Sequence, residues 1–343
     1  MHNKIILEYI WLDGHKTNNL RSKTKVMKWN SIEDKRPENL PIWNFDGSST
    51  NQAPGNNSEC MLKPARVYQW SSDHYFVLCE VMNSDGTPHE TNTRYFLRNL
   101  ENTCDEEEYW WGFEQEFFMT KNYKIAGFPD TGYPPPQGFY YCGVGQGQVV
   151  GRSLSERHLH KCLHMGIDLT GTNAEVAIGQ WEYQCFSNNT LKACDDLWIS
   201  RYTLYRLGEE YGFGIDLNPK PVPGDWNGSG CHTNFSTNWM REDCSYEKIT
   251  GLMTSFCKNH DKHMKNYGEG NSYRLTGLHE TQHIDTFSWG VGDRGASIRI
   301  PNAMAANNWN GYIEDRRPAS NCDPYLVARN IVYSTQESRN EYE

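Results

Sequence analysis

The chain has 343 residues, a formal net charge of −10 and 37% hydrophobic residues, which suits one large folded domain or two. The charge is spread along the sequence without a basic block, which argues against nucleic acid and an anionic membrane surface as main partners. No apolar run is long enough to span a bilayer, and the N-terminus lacks the apolar core of a signal peptide. The 11 cysteines include no CxxC pair, so we expect free thiols and a cytoplasmic protein.

The N-terminal part of the sequence alternates apolar strands with a polar loop. Apolar patterns predict strands over residues 4–13, 24–29 and 75–81, and a helix over 91–104. The loop over residues 32–60 contains WNFDGSST, in which Asp46 opens an Asp-Gly-Ser-Ser turn; in isolation this motif indicates only a chain reversal. We place a domain boundary within residues 88–95, which gives predicted domains 1–92 and 93–343.

The segment WWGFEQEFFM, residues 110–119, is the most informative in the chain. Its aromatic residues predict a buried strand, and side chains two residues apart share one face of a strand. Glu114 and Glu116 would therefore project side by side, although like charges repel and are costly to desolvate. Two interpretations are open at this point: an edge strand with a solvated acidic face, or carboxylates that bind divalent cations.

A long loop and a histidine-bearing helix follow the central strand. The loop over residues 127–147 contains three consecutive prolines, and loops of that length are often functional. The predicted helix begins at Ser153 and carries His158, His160 and His164. His160 and His164 have the i,i+4 spacing that metal ligands on a helix can have, but no carboxylate motif accompanies them. We therefore interpret all three as partly exposed helix histidines.

The remaining segments repeat the pattern of polar side chains within apolar strands. Helices are predicted over residues 195–211 and 246–267, with a closing helix that begins at Asp323. Glu175 and Glu182 lie in or beside apolar, aromatic segments. Strand alternation places two further sets of side chains on single faces, namely His232, Asn234 and Ser236, and Tyr312, Glu314 and Arg316. It also directs Arg299 away from the face that holds its neighbours Ile298 and Ile300.

Convergence of these polar faces would join carboxylates, one imidazole and several guanidinium groups in one site. Acidic residues that bind divalent cations and arginines that hold anionic groups are typical of phosphoryl transfer. The sequence contains neither a GxxxxGK[ST] P-loop nor a kinase-type glycine-rich loop. A bound nucleotide would therefore use a different scaffold.

The sequence resembles the glutamine synthetase family, in its short eukaryotic-type (type II) branch. The segments that carry the resemblance are WNFDGSST, FEQEF, PQGFYYCGVG, GTNAEV, QWEYQ, PGDWNGSGCHTNFST, RLTGLHET, ASIRIP and YIEDRRPASNCDP. They follow the family's order over about residues 5–330. The resemblance implies an α+β fold of the glutamine synthetase/guanido kinase type. A small N-terminal β-grasp-like domain would precede a larger C-terminal catalytic domain with a curved antiparallel sheet flanked by helices.

The family's reaction is the ATP-dependent ligation of ammonia to L-glutamate, which gives glutamine, ADP and phosphate. The resemblance implies a γ-glutamyl phosphate intermediate and two divalent cations, Mg²⁺ or Mn²⁺, in each site. It also implies a homo-oligomer, a decamer of two pentameric rings, with active sites shared between adjacent subunits. Glutamate, ammonium and ATP would be its small-molecule partners, with no nucleic acid and no membrane.

The resemblance assigns roles to individual positions. Expected metal ligands are Glu114, Glu116, Glu175, Glu182, His232 and Glu314. Expected catalytic residues are Asp46, which would bind ammonium, the flap residue Glu280, and Arg294, Arg299 and Arg316 near the reacting phosphate. Expected glutamate contacts are Asn227, Gly228, Arg274, Arg294 and Arg316. Expected ATP contacts are Glu114, Glu182, Ser187, Asn234, Ser236, Arg299 and Tyr312.

The sequence departs from the family around the expected substrate loop and flap. Asp225 stands where asparagine is common, and Gln282, His283 and Asp293 also differ from the usual residues. The helix that usually precedes the first strand is missing or very short, which bears on the expected ring contacts. None of these differences removes an expected metal ligand, and the adenylylation loop of the longer bacterial branch has no counterpart. Three rival functions remain: a non-catalytic relative, a ligase for another amine or acid, and a two-metal hydrolase.

Overall fold

The computed structural model describes residues 4–28 and 36–340. The chain divides into two compact units, one of Met1–Asn99 with Lys161–Ile167 and one of Leu100–His160 with Asp168–Glu343. The sequence-based division into residues 1–92 and 93–343 stays a prediction. Among the described residues, no helix combines the length and the apolar character needed to cross a membrane.

The first unit contains a five-stranded sheet in the order β2-β1-β5-β4-β3. Its elements are β1 (Lys4–Leu12), β2 (Leu20–Lys28), β3 (Trp43–Asp46), β4 (Glu59–Gln69), β5 (His74–Asn83) and helix α1 (Thr93–Arg98). Strand β1 pairs parallel with β5 and antiparallel with β2. Buried Tyr9, Trp11, Leu62 and Val77 form part of its core. The strand predicted over 24–29 begins earlier, at Leu20, and its last predicted residue lies outside the described residues.

The second unit contains a larger sheet in the order β12-β13-β14-β11-β6-β9-β8, with two short strands also paired to β6. Its strands are β6 (Trp110–Lys121), β7 (Lys124–Ile125), β8 (Asp168–Ala174), β9 (Gln180–Ser187), β10 (Gly214–Asp216), β11 (Cys231–Ser236), β12 (Trp289–Val291), β13 (Ile298–Ile300) and β14 (Ile313–Asp315). The described pairings are antiparallel except for β12 with β13.

Eight α-helices of the described chain follow α1. They are α2 (Glu101–Glu106), α3 (Arg152–His164), α4 (Thr190–Tyr211), α5 (Asn238–Glu242), α6 (Tyr246–Lys258), α7 (His260–Met264), α8 (Asn302–Ala306) and α9 (Pro324–Asn340). Helix α4 contacts β6, β9 and α9. Its N-terminus is capped by the Asn189 side chain, and it is followed by Gly212, whose φ of 71° suits glycine.

Several predicted helices differ from the observed ones. The helix predicted over 91–104 is divided into α1 and α2, and the one predicted over 246–267 is divided into α6 and α7 near Asn259. Helix α3 begins at Arg152 and exposes His160 and His164, as expected. The expectation for His158 was wrong, because this ring is buried and its Nε2 lies 2.9 Å from the Ser200 carbonyl oxygen.

The central strand β6 has two chemically different faces. Trp111, Phe113 and Phe117 are buried, and the Trp111 ring lies parallel to Phe113 at a centroid distance of 6.2 Å. Glu114 and Glu116 alternate with them and line a cavity on the opposite face. The apolar face therefore holds the strand in the sheet, while the polar face is left for the site.

Candidate active site

The register of the large sheet brings distant polar residues together. Directly opposed residues of antiparallel strands lie on the same face. Three rows cross the sheet in this way: Arg299, Glu314 and Asn234; His232, Glu114 and Gln184; and Glu116, Glu182 and Asn173. The convergence of polar faces expected from the sequence is thus produced by strand pairing within one unit.

A cavity of about 420 Å³ lies over this polar face. The expected metal ligands and the expected glutamate contacts all line it, together with Glu280 and Arg299. The opposing charges of its lining make it a site for charged ligands. Its carboxylates form two groups with different electrostatics.

The first group, the histidine cluster, consists of Glu114, His232 and Glu314. One potential ligand atom from each lies within 4.8 Å of the others. The His232 Nδ1 atom lies 3.3 Å from Glu114 Oε2 and 3.4 Å from Glu314 Oε1. Glu314 is buried and accepts hydrogen bonds from Arg316 Nη1, at 2.7 Å, and from Arg299 Nε. The cations of the protein itself therefore neutralise much of this cluster.

The His232 ring is held in its neutral form. Burial, followed by the charge of Arg316, lowers the pKa of His232 well below its usual value. Its Nε2 atom accepts a hydrogen bond from Arg274 Nη2 at 3.0 Å, which leaves Nδ1 facing the carboxylates. In the neutral ring Nδ1 therefore carries the proton and donates towards Glu114 and Glu314. To bind a cation through Nδ1, the ring would have to move that proton to Nε2 and release the Arg274 contact.

The second group, the triple-glutamate cluster, consists of Glu116, Glu175 and Glu182. Burial, followed by the charge of Glu175, raises the pKa of Glu116 to about 8. Burial is also the largest cause that raises the pKa of Glu175 to about 7. For Glu182, burial and then repulsion from Glu114 and Glu116 raise the pKa to about 9. These carboxyl groups resist ionisation unless a cation joins them.

Both clusters fit divalent cations. Mg²⁺ and Mn²⁺ prefer oxygen ligands and accept imidazole, which is the donor set present here. In the triple-glutamate cluster, the backbone N–H of Gly230 donates to Glu116 Oε2 at 2.8 Å, and Asn173 Nδ2 donates to Glu175 Oε1 at 3.1 Å. These bonds orient the carboxylates and leave further oxygen lone pairs for a metal ion.

Glycines in the loop before β11 make room for a buried arginine. A Cβ atom on Gly228 would lie 2.6 Å from Arg274 Cγ, and one on Gly230 would lie 2.5 Å from Arg274 Nη2. Arg274 is buried and donates to the Arg316 carbonyl oxygen at 2.9 Å. Burial lowers its pKa to about 10, so the guanidinium stays charged near neutral pH. The close approach of the glycine loop therefore holds the charged guanidinium of Arg274 in the cavity wall.

A neighbouring cavity of about 280 Å³ shares Glu114 and Gln184 with the first. It is lined by the expected ATP contacts Asn234, Ser236 and Tyr312, and by aromatic rings that include Trp110 and Phe186. Asn234 Nδ2 donates to Glu114 Oε1 at 2.8 Å, which links the two cavities. An apolar, aromatic cavity beside a charged one suits a ligand with a ring at one end and phosphates at the other.

Two expected site residues lie elsewhere among the described residues. Ser187 ends β9, lines neither of these cavities, and accepts a hydrogen bond from the Asn189 backbone at 3.2 Å. Asp46 belongs to the first unit and is exposed at the end of β3. Hydrogen bonds from the Ser48 and Ser49 side chains, each 2.6 Å long, lower the pKa of Asp46 to about 2. Its carboxylate is therefore ionised at neutral pH.

Reasoning from the sequence missed several residues of the cavity. Gln184 lies two residues from Glu182 on the same face of β9, and the two-residue period of a strand could have identified it. Asn173 lies in β8 opposite Glu182, and it donates to Glu175 just beyond the end of that strand. Tyr141 and His279 also line the cavity, but both come from loops whose position no periodic pattern predicts.

Comparisons with known proteins agree with this geometry. Residues 90–335 match the family described as "Glutamine synthetase, catalytic domain". The chain belongs to the glutamine synthetase family. It is 47% identical to a glutamine synthetase of Yarrowia lipolytica over 95% of this chain and 89% of the relative. It is 48% identical to one of Bradyrhizobium diazoefficiens, over 96% of this chain and 95% of the relative.

The fold of the glutamine synthetase family is also found in a solved structure. A Plasmodium falciparum glutamine synthetase determined by cryo-electron microscopy superposes with a TM-score of 0.80 at 18% identity, over 99% of this chain and 73% of that one. The predicted α+β fold is thereby confirmed. The predicted family and its enzyme class, glutamate–ammonia ligase, are confirmed by the sequence matches.

Proposed function

We propose that this chain catalyses the ATP-dependent ligation of ammonia to L-glutamate, which yields L-glutamine, ADP and phosphate through γ-glutamyl phosphate. The observation that carries this proposal is the joining of two carboxylate clusters and four arginines in one cavity, beside an aromatic cavity. We assign two divalent cations, Mg²⁺ or Mn²⁺, to the site, one at the histidine cluster and one at the triple-glutamate cluster. Bound there, they would neutralise phosphate charge.

The first step forms the acyl phosphate. We place glutamate against Asn227, Gly228, Arg274 and Arg294, and the ATP phosphates beside Arg299 and Arg316. An oxygen of the glutamate γ-carboxylate attacks the γ-phosphorus of ATP, and the bond from that phosphorus to the ADP oxygen breaks. The arginines hold the anionic groups in line and stabilise charge on the transferring phosphoryl group.

The second step forms the amide. The ionised Asp46, supplied by an adjacent subunit, accepts a proton from ammonium. The nitrogen lone pair of ammonia then attacks the acyl carbon, and the bond from that carbon to the phosphate oxygen breaks. The leaving phosphate takes one proton from the new C–N nitrogen, which leaves the neutral amide of glutamine. Glu280 covers the cavity during this step and keeps water from the acyl phosphate.

Assembly and location complete the proposal. Because Asp46 would act in the site of a neighbour, we propose a homo-oligomer, a decamer of two pentameric rings. Residues 1–92 and 93–343 would be its two domains, the second holding most of the site. We place the protein in the cytoplasm, where its free cysteines would stay reduced.

The decisive experiment measures phosphate and glutamine in the same reactions with ATP, Mg²⁺ and glutamate, with and without ammonium. Equal amounts of both products that depend on ammonium would establish the ligase. Phosphate without glutamine would indicate a different acceptor or a hydrolase. Absence of turnover with either Mg²⁺ or Mn²⁺, in a folded and assembled protein, would favour a non-catalytic relative.

The role of Asp46 has its own test. Asp46→Ala should leave ATP affinity within about twofold and lower ammonium-dependent glutamine formation by about 100-fold or more. Asp85→Ala is a matched control, because Asp85 is also exposed in the first unit and accepts bonds from the Thr87 backbone and hydroxyl. Loss of ATP binding in the Asp46 variant, or equal losses in both variants, would contradict the assignment.

A further inference from the structure

The loop that carries Glu280 has an unusual backbone at its tip. His279 has a φ of 53° and Glu280 a φ of 59°, so two successive residues other than glycine occupy the left-handed region. Such residues are uncommon there and persist only where the surroundings hold them. The contacts made by this pair therefore show what keeps the loop in place.

One side of the tip is held from within the second unit by Arg316 and Thr281. Arg316 Nη2 donates to the Glu280 carbonyl oxygen at 3.3 Å. The Thr281 hydroxyl donates to the Leu278 carbonyl oxygen at 2.8 Å and closes the turn. These contacts hold the backbone of the loop at Leu278 and Glu280, and neither of them involves the His279 side chain.

The His279 ring reaches across to two other segments. Its Nε2 lies 3.1 Å from Asp225 Oδ1, and its Nδ1 lies 3.5 Å from Gln137 Nε2. A neutral imidazole protonated on Nε2 satisfies both contacts, because it donates to the carboxylate and accepts from the amide. The ring is thus a connector between the tip and the loops that carry Asp225 and Gln137.

Gln137 extends this connection to an expected glutamate contact. Its Oε1 accepts from the Asn227 backbone N–H at 2.7 Å, and its Nε2 donates to Asn227 Oδ1 at 2.7 Å. Asp225 lies two residues before Asn227. One partner of His279 therefore belongs to the Asn227 loop, and the other is hydrogen-bonded to it. A displacement of this loop would therefore reach the tip through His279.

We propose that His279 is a positioning residue that latches the Glu280 loop to the Asn227 loop through Asp225 and Gln137. This proposal rests on the proposed function of the site, and it adds a role for His279 and Asp225 in the closure of the cavity. The Asp225 side chain is 98% exposed, and water competes for its hydrogen bond with the neutral His279 ring, so the latch opens readily. A reversible closure lets substrates reach the cavity and then keeps water from the intermediate.

Hydrogen–deuterium exchange without substrates tests the latch directly. In His279→Ala, amides of a peptide covering residues 275–285 should exchange about tenfold faster than in the unaltered protein. Asp225→Ala should accelerate the same peptide, and the double variant should add little to either single change, because the two residues form one contact. This readout does not depend on catalysis, so it decides the latch even if the unaltered protein makes no glutamine.

Kinetics then test the role in the reaction. His279→Ala should lower glutamine formation by about tenfold, with the KM for ATP within about twofold and at least about two phosphates released per glutamine. His279→Gln, whose amide can both donate and accept, should restore most of the coupling of phosphate to glutamine. A ratio of one phosphate per glutamine in His279→Ala would overturn the proposal.

His283→Ala is the matched control. His283 belongs to the same loop and also lies near an aspartate, with 3.7 Å between its Nδ1 and Asp285 Oδ2, but that partner is on its own segment. This variant should keep the unaltered exchange rate and product ratio. The latch is overturned if His279→Ala and His283→Ala behave alike in both experiments.

Discussion

The histidine cluster and the triple-glutamate cluster occupy the same cavity but solve the problem of buried charge differently. Glu314 of the histidine cluster is paired with Arg299 and Arg316. Within residues 4–28 and 36–340, no lysine or arginine forms an ion pair with the carboxylates of the triple-glutamate cluster. Burial, together with repulsion between the carboxylates, raises their pKa values to between about 7 and 9.

The histidine cluster is therefore preorganised, whereas the triple-glutamate cluster depends on a bound cation. The histidine cluster is close to charge balance in the protein alone, so its geometry is maintained before any cation binds. The triple-glutamate cluster keeps protons in place of a cation, so cation binding there must displace protons. The two clusters should therefore respond in opposite directions when one charged group is removed.

The largest effect is expected for Glu182→Gln. Glutamine keeps the shape of the side chain but loses a charged ligand, so glutamine formation should fall by about 100-fold or more. The same change should raise the free energy of unfolding of the metal-free protein at pH 9, because it removes a buried carboxylate with a pKa of about 9. Initial rates and chemical denaturation with a chelator measure the two effects.

Glu210→Gln is the control for that change, because Glu210 is exposed on α4 and should leave both quantities unaltered. Lower metal-free stability in Glu182→Gln would mean that its carboxylate is already compensated. The contrast between the clusters would then be wrong.

Arg299→Met should change the free energy of unfolding of the metal-free protein in the opposite direction to Glu182→Gln. This change removes one of the two cations that Glu314 contacts in its buried position, so the free energy of unfolding should fall by about 1–3 kcal/mol. Denaturation of the metal-free protein measures it, and Arg157→Met on the exposed side of α3 is the control. Unchanged stability would show that Arg316 alone compensates Glu314.

The pH dependence of stability should expose the triple-glutamate cluster. A carboxyl group whose folded pKa is raised binds more protons in the folded than in the unfolded state above pH 4.5. Its contribution to stability is therefore present at low pH and is lost as the pH rises through about 7 to 9. Between pH 6 and 9 the Tm of the metal-free protein should fall by about 3 °C, and saturating Mg²⁺ should remove this slope. An equal slope with and without Mg²⁺ would place the cation elsewhere.

The resemblance to the family predicted the members of the two clusters, but the sequence could not distinguish their electrostatics. The two-residue period was enough to place Glu114 beside Glu116 on one face of β6 and His232 beside Asn234 on one face of β11. The pairing of Glu314 with Arg299 depends on the register of β13 against β14, which a single segment does not encode. Pairing with distant residues therefore had to come from the structure.

Contacts made by loops are the second feature that the sequence could not predict. The LHE segment identified Glu280 through its resemblance to a family, yet the role of the neighbouring His279 depends on Asp225 and Gln137, which are distant in sequence. Helix periodicity likewise predicted one helix over residues 246–267 and did not show the division near Asn259. Such features are decided by tertiary contacts that override local preference.

The smallest effect is expected at the side of the histidine cluster that opens to the aromatic cavity. Glu114 lines both cavities, so a nucleotide whose phosphates reach the histidine cluster would place its ring near Tyr312. Tyr312→Ala should raise the KM for ATP by about 5–10-fold, since a stacked aromatic side chain contributes about 1–3 kcal/mol to binding a base. The KM for glutamate should stay unchanged, because glutamate is assigned to the Asn227 side, and Asn227→Ala should show the reverse pattern. Tyr123→Ala, at a fully exposed tyrosine after β6, is the control. A rise in both KM values for Tyr312→Ala would mean that the two cavities bind one ligand jointly. The assignment of ATP and glutamate to different sides of the histidine cluster would then be wrong.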